Sequence, residues 1–233
     1  MEDRETSGKA TRQHSDNARR YKRDFWATEN RGFAEPHFRL QKVAGIVRDM
    51  VGDKECDLLD LGCGPSTFAR LMPPNVHYYG IDIAIHDPAP NLIEKDLLET
   101  PIDFRGLKFD LVLAQGLFEY LGDRQRQKFA EIRALLKDGG KFVVTYINFA
   151  HRRKNLYHAY SNVQEPGVFR RDLERYFTID RAFPGAYNWN HTLPSRRFMK
   201  QAQSRLYVNI PFVSEFLAVD YFYICSPRPS VKE

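Results

Sequence analysis

Residues 56–72 read CDLLDLGCGPSTFARLM, and the fold follows from this stretch. Leu58, Leu59 and Leu61 form a short apolar run closed by Gly62 and Gly64, after which Phe68, Ala69, Leu71 and Met72 recur at helical spacing. The pattern predicts a strand, a tight loop and a helix. Glycines at the turn let backbone amides approach a ligand closely and let the chain adopt positive φ. Asp82, 20 residues after Gly62, ends the next strand-like run VHYYGIDIA. An acid at that tip is placed to accept hydrogen bonds from both hydroxyls of a ribose. These residues together predict a pocket for an adenosine-type nucleoside.

The pattern continues in both directions. Before it, Leu40, Val43, Ile46, Val47 and Met50 predict a helix entered through Pro36 and ended near Gly52. After it, NLIEKDLLE (91–99) is a weaker third strand with Asp96 at its end. FDLVLAQGLFEYL (109–121) is a fourth strand, apolar enough to be buried on both faces. Asp123 is expected to cap a helix carrying Phe129, Ile132, Leu135 and Leu136, with Gly139 stopping it, and GKFVVTYIN is a fifth strand. A short helix at 170–177 and two late strands, TIDRAFPGAYNW and AVDYFYICSP, follow. Strands alternating with helices predict a parallel α/β sheet covered on both faces, with ligands at the carboxyl ends of its strands.

Composition narrows the function classes. With 233 residues, 42% hydrophobic and 13% aromatic, the chain can bury a core, and its mean hydropathy of −0.53 suits a soluble protein. No apolar run approaches the roughly 18 residues of a membrane span. The N-terminus alternates charges and lacks a secretory signal, so a cytoplasmic location is expected. Residues 1–24 are expected to be a flexible tail, and 25–233 one domain. Cys56, Cys63 and Cys225 show neither CxxC nor Cys/His ligand spacing, so reduced thiols and no metal are expected. The net charge of +5 is uneven, with an excess of +7 in residues 151–205. That patch suits an acidic substrate or nucleic acid, or is merely a solvated face.

The loop also discriminates between nucleoside cofactors. A dinucleotide site favours a third glycine where Thr67 stands. Asp60, two residues before Gly62, suits a cation better than a pyrophosphate. The balance favours S-adenosylmethionine, which carries a sulfonium and an ammonium. Here the sequence resembles the class I S-adenosylmethionine-dependent methyltransferases of small-molecule type, chiefly over residues 55–150. LLDLGCGPS matches the first motif, with Ser66 where many members have glycine. Asp82 and Ile83 match the second, and Asp96 with Leu97 the adenine position. FDLVLAQGLFEYL resembles the fourth-strand motif, with Gln115 near the methionine moiety. LLKDGGKFVV resembles the turn before strand five, with Asp138 in place of proline. The resemblance implies a Rossmann-like doubly wound sheet of seven strands, the last antiparallel, and a cofactor site containing Arg39, Asp60, Gly62, Cys63, Gly64, Asp82, Ile83, Asp96, Leu97 and Gln115.

Methyl transfer needs near-attack geometry, and a base only if the nucleophile carries a proton. Glu119, past strand four, and His151, past strand five, are the candidate catalytic residues, each with a surface role as the alternative. Arg39 is a candidate partner for the methionine carboxylate, or a surface residue. An insertion at about 188–217 is the expected specificity segment, and Trp189, His191, Arg196 and Arg197 are its candidate acceptor contacts. The expected acceptor is oxygen or nitrogen of a polar, even anionic, small molecule. No DPPY-like or NPPY-like run follows strand four, which argues against nucleic-acid bases. The basic stretch keeps RNA as a rival substrate, and a non-catalytic cofactor-binding module is the other alternative.

Overall fold

The computed structural model describes residues 23–29, 38–148, 164–187, 214 and 218–229. In chain order these give α1 (Arg23–Glu29), α2 (Phe38–Val51), β1 (Cys56–Leu61), β2 (Val76–Asp82), β3 (Leu92–Glu94) and β4 (Phe109–Ala114). They continue through α3 (Gln125–Leu135), β5 (Leu136–Ile147), α4 (Pro166–Tyr176), β6 (Phe177–Tyr187) and β7 (Ala218–Pro227). The strands form one sheet in the order β3-β2-β1-β4-β5-β7-β6. Pairings are parallel from β3 through β5, and β7 runs antiparallel to both β5 and β6. This is the expected doubly wound sheet with its last strand reversed.

Alternation along the strands divides the core in two. Leu58, Leu111, Leu113, Val143 and Phe222 point to the face covered by Val43, Ile46 and Val47 of α2. Leu59, Leu61, Val112, Val144 and Tyr223 point to the other, where Phe129 and Ile132 of α3 and Phe169 and Leu173 of α4 cover them. Phe118 stacks on Phe129 at 4.7 Å between centroids, and Tyr146 stacks on Phe169 at 3.9 Å. Helices therefore cover both faces, and every apolar residue of β1 and β4 is buried, as a parallel strand requires.

Local expectations changed in three places. The helix expected after the glycine loop is a five-residue 3-10 turn, Thr67–Leu71. Pro65 and the Pro73–Pro74 pair bracket it, and Met72, ahead of Pro73, is extended at ψ 145°. Asp123 does not cap α3; it lies in a 3-10 turn, Gly122–Arg124, and Gln125 anchors the start instead by donating to the Phe118 carbonyl at 2.9 Å. Gly139 does not end α3, which stops at Leu135; it sits at φ +76° inside β5, where the register with β4 shifts. Cys56, Cys63 and Cys225 are separate buried thiols. Among the described residues no helix is long and apolar enough to cross a membrane. Except for Arg23 and Asp24, the expected tail lies outside the described residues, as does the 188–217 segment apart from Ser214.

Candidate functional site

A cavity of about 340 Å³ runs along the carboxyl ends of β1 to β5. Its wall follows the strand order: Asp96 and Leu97 beyond β3, Asp82 and Ile83 at β2, Asp60, Gly62, Cys63 and Gly64 at β1, Gln115 beyond β4, and Thr145 and Ile147 on β5. Trp26, Arg39 and Leu40 border it from α1 and α2, and Phe222 from β7. All ten residues expected at the cofactor lie on this wall, as does Glu119. His151, Trp189, His191, Arg196 and Arg197 lie outside the described residues.

The glycine loop is held from below. Gly62 and Cys63 donate their amides to the Ile81 carbonyl at 2.8 and 3.2 Å. Gly62 and Gly64 have φ of +74° and +55°, and a Cβ on Gly62 would touch the Leu117 side chain at 3.4 Å. The Gly64 amide donates to Asp82 Oδ2 at 2.8 Å and the Ala84 amide to Oδ1 at 3.0 Å. Asp82, only 7% exposed, thus ties the tip of β2 to the loop of β1. Asp96 accepts the Leu98 amide at 2.8 Å, fixing the turn that leaves β3.

Asp60 is buried under the loop and accepts from the Tyr78 hydroxyl at 2.8 Å. Burial pushes its carboxyl up to about 7; the Tyr78 hydrogen bond opposes that rise and the charge of Asp82 adds to it. Beyond β4, the Gly116 amide donates to Thr145 Oγ1 at 2.8 Å, which sets the course of the chain toward Glu119. Glu119 sits in a 3-10 turn, Phe118–Tyr120, and its Oε1 accepts the Ile147 amide at 3.1 Å. Burial raises its carboxyl to about 7, against the lowering influence of Arg39. The lining carries four acids (Asp60, Asp82, Asp96, Glu119) against two bases (Arg39, Lys95), a chemistry suited to a cationic ligand.

Arg39 is at the cavity but its Nη1 donates to Asp220 Oδ2 at 3.0 Å, an ion pair with a buried partner. Lys42, one turn on, is buried and donates to the carbonyls of Pro184 and Gly185 at 2.8 and 3.2 Å. Burial lowers its ammonium to about 8. Helix α2 therefore grips both β6 and β7. Asp220, Tyr78 and Thr145 bond to residues of the cavity lining, and the sequence reading did not single them out. The acid of Asp220 inside the apolar run AVDYFYICSP was the available signal. Trp26 packs edge-on against Tyr120 at 5.4 Å, so α1 is joined to the turn that carries Glu119.

None of the curated proteins compared with the chain matches it. Solved structures do, at the level of fold. A TehB-like SAM-dependent methyltransferase from Corynebacterium glutamicum has a TM-score of 0.55 at 14% identity, with 88% of this chain and 95% of that one covered. The CcbJ methyltransferase from Streptomyces caelestis has a TM-score of 0.59 at 14% identity, with 84% and 92% covered. The N-methyltransferase NodS from Bradyrhizobium japonicum, in complex with S-adenosyl-L-homocysteine, has a TM-score of 0.51 at 14% identity, with 82% and 88% covered. A sequence family described as a methyltransferase domain matches residues 25–178, from α1 through the first residues of β6 and across the whole wall of the cavity up to Ile147. The chain belongs to that methyltransferase family.

Proposed function

We propose that the protein transfers a methyl group from S-adenosylmethionine to oxygen or nitrogen of a polar small molecule. The observation that carries this reading is the ordered row of acids along the sheet edge, with Asp96, Asp82 and Asp60 at successive strand ends and Glu119 beyond β4. S-adenosylmethionine supplies a methyl group on a cationic sulfur, so the reaction needs no further electrophile.

The protein's own residues bind, orient and handle protons. Asp82 is assigned to the ribose hydroxyls; both of its oxygens already hold backbone amides, so its orientation is fixed before a ligand enters. Ile83 and Leu97 form apolar wall for the adenine ring, and Asp96 is assigned to its amino group. Asp60, Gly62, Cys63 and Gly64 surround the place for a cationic ammonium, and Arg39 and Gln115 are assigned to the rest of the amino-acid moiety. Binding a cation beside Asp60 favours the ionised carboxylate and releases a proton from an acid held near 7.

Glu119 is the proposed base, because an acid held near 7 is close to the optimum for proton transfer at neutral pH. His151 is the second candidate. Trp189, His191, Arg196 and Arg197 are proposed to contact the acceptor from the 188–217 segment.

Calorimetric titration with S-adenosylmethionine, S-adenosylhomocysteine and NAD tests the cofactor. Micromolar binding of the first two and not of NAD is expected; binding of NAD alone would overturn the reading. Binding without formation of S-adenosylhomocysteine from any acceptor would identify a regulatory module instead.

A further inference from the structure

Strands β2 and β3 end side by side on two acids, Asp82 and Glu94, which pair in the parallel register. The Lys95 amide donates to the Asp82 carbonyl at 2.7 Å and joins the two ends. Each acid also takes an amide of the chain leaving β2. Asp82 Oδ1 accepts from Ala84 at 3.0 Å, and Glu94 Oε2 accepts from Ile85 at 3.0 Å. Two successive amides are thus held by two adjacent strands, which fixes Ile83, the residue before them, in the cavity wall. Asp82 borders the cavity itself, whereas Glu94 and Ile85 stand outside its lining.

The same carboxylate has a second partner. Arg23 of α1, 71 residues earlier, donates through Nε to Glu94 Oε1 at 2.7 Å and through Nη2 to Oε2 at 3.3 Å. A forked pairing of this kind sets the direction of the guanidinium as well as its distance. Trp26, three residues on and so on the same side of α1, borders the cavity and packs edge-on against Tyr120 beyond β4. In the strand order β3-β2-β1-β4, a helix held at Glu94 and at Tyr120 passes over the ends of β2 and β1.

Exposed ion pairs contribute little to stability, and Arg23 and Glu94 are 58% and 38% exposed. What the pair supplies is geometry, since one side chain joins β3, α1 and the chain that leaves β2. We propose that Glu94 is a positioning residue for the nucleoside end of the site. Through the Ile85 amide it sets Ile83 against the adenine ring, and through Arg23 it holds Trp26 over the cavity. This rests on the methyltransferase reading above, in which Ile83 is adenine wall, and adds to it a residue outside the lining. Substitution separates the two arms. Glu94→Ala removes both, Glu94→Gln keeps an oxygen for Ile85 but not the charge that holds Arg23, and Arg23→Ala removes only the tie to α1.

The test is titration calorimetry and stopped-flow release on the full chain, with S-adenosylhomocysteine and 5′-methylthioadenosine, which share the nucleoside. Glu94→Ala should weaken both about fivefold or more, because the part of the wall they share is no longer preorganised. Glu94→Gln should return affinity to within about threefold of wild type, the scale of an exposed ion pair. Arg23→Ala should release S-adenosylhomocysteine about threefold faster, with affinity falling no further than that. Release from wild type should quicken between about 20 mM and about 500 mM salt, and release from Arg23→Ala should not, a comparison that stands even if Glu94→Ala does not fold. Wild-type affinity in Glu94→Ala, a Glu94→Gln variant as weak as Glu94→Ala, or wild-type release indifferent to Arg23→Ala or to salt overturns the proposal. Failure of the wild type to bind either ligand overturns the methyltransferase reading instead.

Discussion

The Tyr78 hydroxyl donates to Asp60 Oδ2 at 2.8 Å, both side chains enclosed beneath the glycine loop. Asp60 is held near 7, above its ordinary value of 3.8. The folded protein therefore keeps a proton that the unfolded chain releases between these values. The stability gained is complete below about pH 4 and is lost as pH rises toward 7, by up to about 4 kcal/mol. Asp60→Asn should flatten that part of the pH dependence, and Tyr78→Phe should extend it to higher pH by removing the hydrogen bond that stabilises the anion. Thermal melts from pH 4 to pH 8 decide this; identical slopes in wild type and Asp60→Asn would refute it.

Asp82→Ala should weaken binding of S-adenosylhomocysteine by roughly 1.5 to 3 kcal/mol, the size of lost hydrogen bonds to a charged group. The same change strips the Gly64 and Ala84 amides of their acceptor, so the melting temperature should fall as well. Titration calorimetry measures the first and a thermal melt the second. An unchanged dissociation constant would remove Asp82 from the site.

Arg39→Gln should shift the pH dependence of turnover. Arg39 holds the Glu119 carboxyl down, so its loss should raise that carboxyl above about 7. The acidic limb of the kcat profile should then move to higher pH, while cofactor affinity falls if Arg39 meets the methionine carboxylate. A limb that does not move would mean that Glu119 is not the group titrating.

Gly185→Ala should destabilise the fold by about 1 to 3 kcal/mol, the usual consequence of overpacking a filled interior. A methyl group there would collide with the Asp220 carboxylate and come within 2.6 Å of Phe222 Cε2. Urea unfolding measures the loss, and stability equal to wild type would show that β6 and β7 can separate at this point.

Most of the sheet was legible because its strands are short apolar runs closed by turn residues, and Leu58–Leu61 with Gly62, or Phe109–Ala114 with Gly116, leave little choice. What escaped was decided by neighbours distant in sequence. Phe68, Ala69 and Leu71 have helical spacing, yet Pro65 and Pro73 leave room only for a 3-10 turn. Asp123 has the right chemistry for a cap, but Gln125 reaches the Phe118 carbonyl and the helix starts one residue beyond that reading, with Arg124 at the cap position. The cavity wall was legible because its motif residues are local to strand ends. Asp220 was not, since its meaning depends on Arg39, 181 residues earlier. Glu119 was legible as an acid in the right loop, but not as one with an oxygen sealed from water.

Strand β7 is synthesised after β5 and β6 and lies between them, bonded to each. Until β7 is made, β6 has no strand to pair with and β5 has only β4. The parallel half of the sheet, β3 through β5, can be assembled while translation continues; the corner that joins Ile147 to Asp220 cannot. The residues that line the cavity from β1 to β5 thus precede β7, and with it Asp220, in order of synthesis.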